Sequence, residues 1–230
     1  MPVPGPGGEA AHRLGGQLPG GRCARGRSAG RATALVEESV ALCRDLGDQD
    51  GLAYALSVLG TILQARGDAE QAQACYVDSL RLCQALGDRW EMATVLRHLG
   101  MVAHVQGDVD TARARYEESL TLCQALGDRH GLAACLEGLA GVAVTQQHPE
   151  HAAQLFGAAE TLREALGAPR SPRERVQHER AVSTGRSCLG DTAWATAWAM
   201  GTAMPLEARP RLQQHPQGTN TLRCMGGVED

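Results

Sequence analysis

Residues 82–89, Leu82-Cys83-Gln84-Ala85-Leu86-Gly87-Asp88-Arg89, recur letter for letter as Leu122-Cys123-Gln124-Ala125-Leu126-Gly127-Asp128-Arg129, and Ser79-Leu80 recurs with them as Ser119-Leu120. A looser copy ends in Leu46-Gly47-Asp48, forty residues earlier again. A fixed period of this size means that one structural unit is being stacked. Within the unit the apolar residues fall three and four apart, as in Leu35, Val36, Val40, Cys43 and Leu46, which is the pattern of a helix with one buried face. Each Gly-Asp pair is both a stop and a start. Glycine enters the left-handed conformation that closes a helix, and aspartate caps the next by accepting from the free amides of its first turn. Gly67-Asp68 and Gly107-Asp108 repeat the device at mid-unit, and Glu91 after Asp88 and Gln71 after Asp68 have capping-box spacing.

The unit is therefore two antiparallel helices joined by short turns. A first lone helix opens at Arg31. A helices are expected near 50–66, 90–106 and 130–146, and B helices near 69–86, 109–126 and 149–166. In the last unit the mid-repeat turn has drifted to Gln147-His148-Pro149, with proline suited to a first helical turn. Beyond it, Ser171-Pro172-Arg173-Glu174 reads as a cap, first-turn proline and capping-box acid. Asp191 is placed to cap a last helix whose Trp194 and Trp198 would cover the end of the array. The expected organisation is a disordered Gly/Pro/Arg-rich tail over 1–30, an array over 31–167, a helical cap over 168–207 and an irregular tail over 208–230. The fold class is all-α, a right-handed solenoid of three to three and a half helix pairs.

The 230 residues carry a formal net charge of −4, and the basic side chains are scattered apart from Arg22, Arg25, Arg27 and Arg31. That balance argues against a nucleic-acid or membrane surface on the repeats. The eight cysteines do not form a secreted disulfide pattern, because Cys43, Cys83 and Cys123 occupy one repeated position on the apolar stripe and read as reduced core residues. With no signal-like segment, the expected compartment is the cytoplasm. Neither a metal nor a cofactor is expected. His148 and His151 straddle a turn without a third ligand, Cys75 and Cys83 lack a metal or redox spacing, and Gly5 to Gly8 lacks the ending of a phosphate loop. The pairs Glu37-Glu38 and Glu117-Glu118 read as solvated helix faces, and no catalytic residue is expected.

The residues resemble the tetratricopeptide repeat. Its A-helix pattern is matched by Leu56, Leu59-Gly60, Leu63; by Leu96, Leu99-Gly100, Ala103; and by Leu136, Leu139-Ala140, Ala143. Its B-helix pattern is matched by Ala72, Tyr76, Ser79; by Ala112, Tyr116, Ser119; and by Ala152, Phe156, Ala159. The resemblance implies a protein-binding scaffold with a concave surface lined by A helices. Carried over by position, that surface comprises Tyr54, Ser57, Thr61 and Gln64; Thr94, Arg97, Met101 and His104; and Glu137 and Val144. The alternatives for this surface are a groove that clasps a peptide or partner helix and an ordinary wetted face. The stretch from Phe156-Gly157-Ala158-Ala159-Glu160 through Trp194, Trp198, Gly201 and Leu206-Glu207 resembles the closing segment of large bacterial signalling regulators with AAA-like NTPase and LuxR-type DNA-binding domains. That similarity implies an effector-sensing arm, or a detached fragment of such a transcriptional regulator, as the alternative to a scaffold. Self-association through the array ends is a further expectation.

Overall fold

The computed structural model describes residues 20–204, with side chains from residue 30 onward apart from those of 172 and 173. Among these residues the chain forms α1 (Gly20–Leu46), α2 (Gln49–Arg66), α3 (Ala69–Leu86), α4 (Arg89–Gln106), α5 (Val109–Leu126), α6 (Arg129–Thr145), α7 (Pro149–Leu166), α8 (Pro172–Leu189) and α9 (Asp191–Ala203). Helices α2/α3, α4/α5 and α6/α7 are the three tightest consecutive pairs, and each B helix also packs on the A helix that follows. The result is an all-α solenoid whose core runs along the array as connected clusters, as stacking of half-buried units requires.

The Gly-Asp turns behave as the sequence implies. Gly47, Gly67, Gly87, Gly107 and Gly127 are left-handed, and Asp48, Asp88, Asp108 and Asp128 accept first-turn amide bonds. Each cap of this kind contributes about 1 kcal/mol. Asp68 departs from the pattern, since it makes no cap bond and pairs with Arg66 at 3.5 Å. Glu91 does not complete a capping box, and its Oε1 is buried without a hydrogen-bond partner among the described residues.

Stacking depends on the aromatic residue of each B helix. A methyl built on Gly60 would lie 2.6 Å from the Tyr76 ring, and one on Gly100 would lie 3.0 Å from Tyr116, so the rings occupy space that the absent side chains leave. Each ring then reaches the next A helix at positions forty residues apart. Tyr76 stacks on His98 with centroids 5.1 Å apart, Tyr116 lies against Gly138, and Phe156 meets His178 edge-on at 4.9 Å.

That register makes α8 the A helix of a fourth unit, but the pairing changes there. Glu179-Arg180 stands where earlier A helices have Leu-Gly or Leu-Ala, so α8 has no apolar stripe, and α9 packs on α7 as closely as α6 does. Gly157 lies against the backbone of Trp198 and Thr202, and Gly201 against that of Gln154, so the two helices cross at backbone contact. Trp194 is buried and Trp198 partly so, both against Phe156. The end of the array is therefore covered by α9.

Three expectations are corrected. Helix α1 begins at Gly20, not Arg31; Arg22, Ala24, Arg25, Arg27 and Ala29 are good helix formers that extend an already packed helix at little cost. The tails at 1–19 and 205–230 lie outside the described residues. Asp191 does not cap α9: it is the first helical residue and pairs with Arg186 at 2.5 Å. On α1 the supposed buried face is largely open, with Val40 buried but Leu35 58% and Leu46 72% exposed. The repeated cysteine is buried as expected at Cys83 and Cys123, but only partly at Cys43.

Gln147 holds a positive φ of 61° in place of the glycine that the first two mid-repeat turns use. The left-handed conformation costs a side-chain-bearing residue about 1–2 kcal/mol, of which glycine's larger unfolded-state entropy cancels part. Gln147→Gly is expected to raise the unfolding free energy by about 0.5–1 kcal/mol in urea melts.

His98 is buried against Tyr76 with no partner for Nδ1, and burial, aided by Arg97, pushes its pKa down to about 3. The unfolded chain binds this proton below about pH 6.5 and the native chain does not, so stability falls as pH drops from about 6.5 towards 3. His98→Phe keeps the ring on Tyr76 and removes the titration. Its loss of stability between about pH 7 and pH 5, read from urea melts, is expected to be roughly 2 kcal/mol smaller than that of the wild-type chain.

Candidate functional site

The A helices present their unshared face on one side of the array. At its first helix, Tyr54 projects outward at 65% exposure, whereas Ser57 is buried. Burial raises the Glu91 carboxyl above the usual carboxylate range, opposed by the nearby Ser57 hydroxyl and by the field of Arg97. Thr61 donates to Ser57 O at 3.1 Å, and the Tyr76 hydroxyl lies 3.2 Å from Thr61 Oγ1 and 3.1 Å from Gln64 Oε1. The core aromatic thus holds two groove side chains from below.

On α4, Thr94 donates to Trp90 O at 3.3 Å, and Met101 packs partly buried on the central cluster. His104 Nε2 lies 2.9 Å from Thr145 Oγ1, and its ring rests over Gly141, where a methyl would come within 3.1 Å. Burial lowers its pKa. Arg97 is half-buried and has no ion pair or hydrogen bond among the described residues.

On α6, Glu137 is 14% exposed and both oxygens are taken. Arg163 grips it from α7 with two bonds of 2.7 Å, and Arg170 adds bonds of 2.7 and 2.6 Å while also pairing with Glu160 at 2.7 Å. Fork-to-carboxylate geometry of this kind is the strong form of an ion pair. Glu137 therefore anchors the cap to the array and has little capacity left for a ligand. Val144 is partly buried, 3.3 Å from where a methyl on Gly185 of α8 would lie.

The surface thus gathers Tyr54, Thr61, Gln64, Thr94, Arg97, Met101 and His104, and uses Ser57, Glu137 and Val144 internally. It also extends beyond the sequence reading. Because α8 keeps the forty-residue register, Glu174 and Gln177 continue the rows of Thr94 and Arg97; against the upward push of burial, the hydrogen bonds to Ser171, with Arg163 and lastly Arg97, lower the Glu174 carboxyl. Glu174 and Gln177, absent from the sequence reading, were within reach of the same forty-residue step, whereas Glu91 follows from the helical spacing three residues before Thr94.

Family models described as tetratricopeptide repeat match residues 52–88 and 91–165, which span α2–α3 and α4–α7. Those segments are tetratricopeptide repeats. No curated protein matches the chain. The fold is an all-α tetratricopeptide solenoid, and such repeats build generally non-catalytic scaffolds for protein–protein interaction. Among the described residues no helix is long and apolar enough to cross a membrane, and no three His, Cys, Asp or Glu side chains converge as a metal site.

Removing the carboxylate that joins the last repeat to its cap leaves two arginines buried without their main partner, a loss that costs about 3–5 kcal/mol. Glu137→Ala is expected to lower the unfolding free energy by that order, with the emission of Trp194 and Trp198 shifting to the red as the cap loosens before the rest of the array melts.

Proposed function

We propose that the concave groove of α2, α4, α6 and α8 binds a peptide or a single helix of a partner protein, with an acidic group of that partner seated on Arg97. The observation that carries this reading is the accounting of charge and polarity along one row. Ser57 is buried and Glu137 is held by two arginines, whereas Arg97 between them is half-buried with no ion pair among the described residues. A guanidinium shielded from water on part of its surface gains more from a carboxylate than a fully exposed one does. The groove is also preorganised, since Tyr76 holds Thr61 and Gln64, and Thr145 holds His104. Side chains already fixed by the core add little ordering cost on association.

Peptides selected from a random library on the immobilised full chain test the reading. Arg97→Ala with His104→Ala is expected to weaken the selected peptides roughly tenfold or more, since hydrogen bonds to charged groups contribute about 1.5–3 kcal/mol. Arg81→Ala on the opposite, B-helix side should change nothing. Unchanged affinity in the groove variant would place the binding surface elsewhere.

A second reading assigns this groove to the effector-sensing arm of a bacterial transcriptional regulator whose NTPase and DNA-binding domains lie outside the sequence. Its support is that Phe156, Gly157, Trp194, Trp198 and Gly201, which carry that resemblance, meet in one tight contact.

A further inference from the structure

Each complete repeat covers a row on its B helix with its own A helix. On α3 the row is Ala72, Tyr76, Ser79 and Cys83, and on α5 it is Ala112, Tyr116, Ser119 and Cys123, all nearly inaccessible. In both, the serine donates to a backbone carbonyl of the covering helix, Ser79 to Ala53 O at 2.8 Å and Ser119 to Ala93 O at 2.6 Å. Forty residues before α3, helix α1 carries the same row as Ala32, Val36, Ser39 and Cys43. Here Ala32 and Ser39 are exposed and Val36 and Cys43 only partly covered, although Val40, in register with Leu80 and Leu120, is buried on α2. Leu42 is 57% exposed, whereas its counterparts Leu82 and Leu122 pack on the neighbouring repeat's side chains. Among the described residues the hydroxyl of Ser39 has no acceptor.

We propose that α1 is the docking seat for an amphipathic helix of a partner protein, which covers Ala32, Val36, Ser39 and Cys43 as α2 covers α3 and α4 covers α5. The interface continues one that the array already builds twice, so its chemistry is specified. The incoming helix needs apolar residues at the spacing of Leu56, Leu59 and Leu63 and an open carbonyl opposite Ser39. It also needs a side chain where Gly60 and Gly100 have none, because Val36 leaves empty the volume that Tyr76 and Tyr116 fill. Among the described residues no helix is left over to take this place. Nine of the nineteen residues ahead of Gly20 are Gly or Pro, and they join α1 about 18 Å from Ala32 at the helical rise. In a second copy the helices of this pattern, α2, α4 and α6, are already sandwiched within their own array.

The probe is a labelled synthetic peptide of residues 49–66 carrying Gly60→Leu, titrated against the full chain by fluorescence anisotropy. Saturable binding is expected, weakened roughly tenfold or more by Ser39→Arg, which places a long charged side chain in the seat. Ser39 is exposed, so the melting temperature should not move. The unsubstituted peptide should bind more weakly than the Gly60→Leu form, and Arg97→Ala should leave both unaffected, which separates this seat from the concave groove. Absence of saturation, binding indifferent to Ser39→Arg, or binding lost with Arg97→Ala would overturn the proposal. So would a dimer in sedimentation that Ser39→Arg abolishes, because the occupant would then be a second copy.

Discussion

A ring pressed into the space of a missing side chain is the contact from which the rest of the array follows. Tyr76 lies where Gly60 has no Cβ, and Tyr116 does the same at Gly100, so each ring fixes both the spacing of its own helix pair and the position of the next A helix. Aromatic pairs contribute about 0.5–1.5 kcal/mol beyond their buried area, and Tyr76 adds such a stack on His98. The same residue reaches the groove, because its hydroxyl touches Thr61 and Gln64. Core and A-helix face are therefore one mechanical unit in the first repeat. Phe156 has no hydroxyl to extend in this way, and its ring is instead enclosed by His178, Trp194 and Trp198. Val36 fills least, and α1 is the B helix left open.

The cap shows how a solenoid ends when the next A helix lacks an apolar stripe. Helix α8 holds register through His178 and the Ser171–Glu174 capping box, but Glu179 and Arg180 cannot enter a core. The apolar cover comes from α9, whose Gly201 meets α7 at backbone distance. What fastens the polar connection is electrostatic: Arg170, just ahead of α8, and Arg163 of α7 converge on Glu137.

Periodicity made the helices legible, and their bounds follow from Gly-Asp turns that the sequence repeats. Pairing at the end was not legible, since Trp194 and Trp198 announce a cover without saying which helix they cover. The placement of the A-helix side chains was legible in part. Tyr54, Thr94, Arg97 and Met101 follow from helical spacing, but the fate of Glu137 depends on Arg163 and Arg170, 26 and 33 residues away, and no local pattern encodes that meeting. The onset of α1 at Gly20 was missed because Gly/Arg/Ala composition resembles a tail until the helix beyond it is packed. The open face of α1 was missed because the pattern that buries Cys83 and Cys123 is written equally on α1, where no A helix precedes it among the described residues.

The charges left over define what the groove can select. Arg97 lies between Glu91, about one turn and a half before it on α4, and Glu174 on α8, and its field acts on both carboxyls. With Glu137 neutralised by its arginines, the signs along the surface run negative at Glu91, positive at Arg97 and negative at Glu174. A partner that matches this order places an acid between two bases; a uniformly acidic or basic segment meets like charge at one site or more. Complementarity of this kind discriminates between partners more than it adds affinity, and part of it weakens with salt. The tetratricopeptide-like core is nearly the same in each unit, so under the proposed function the information that distinguishes one partner from another resides in these few side chains, held in place by rings buried beneath them.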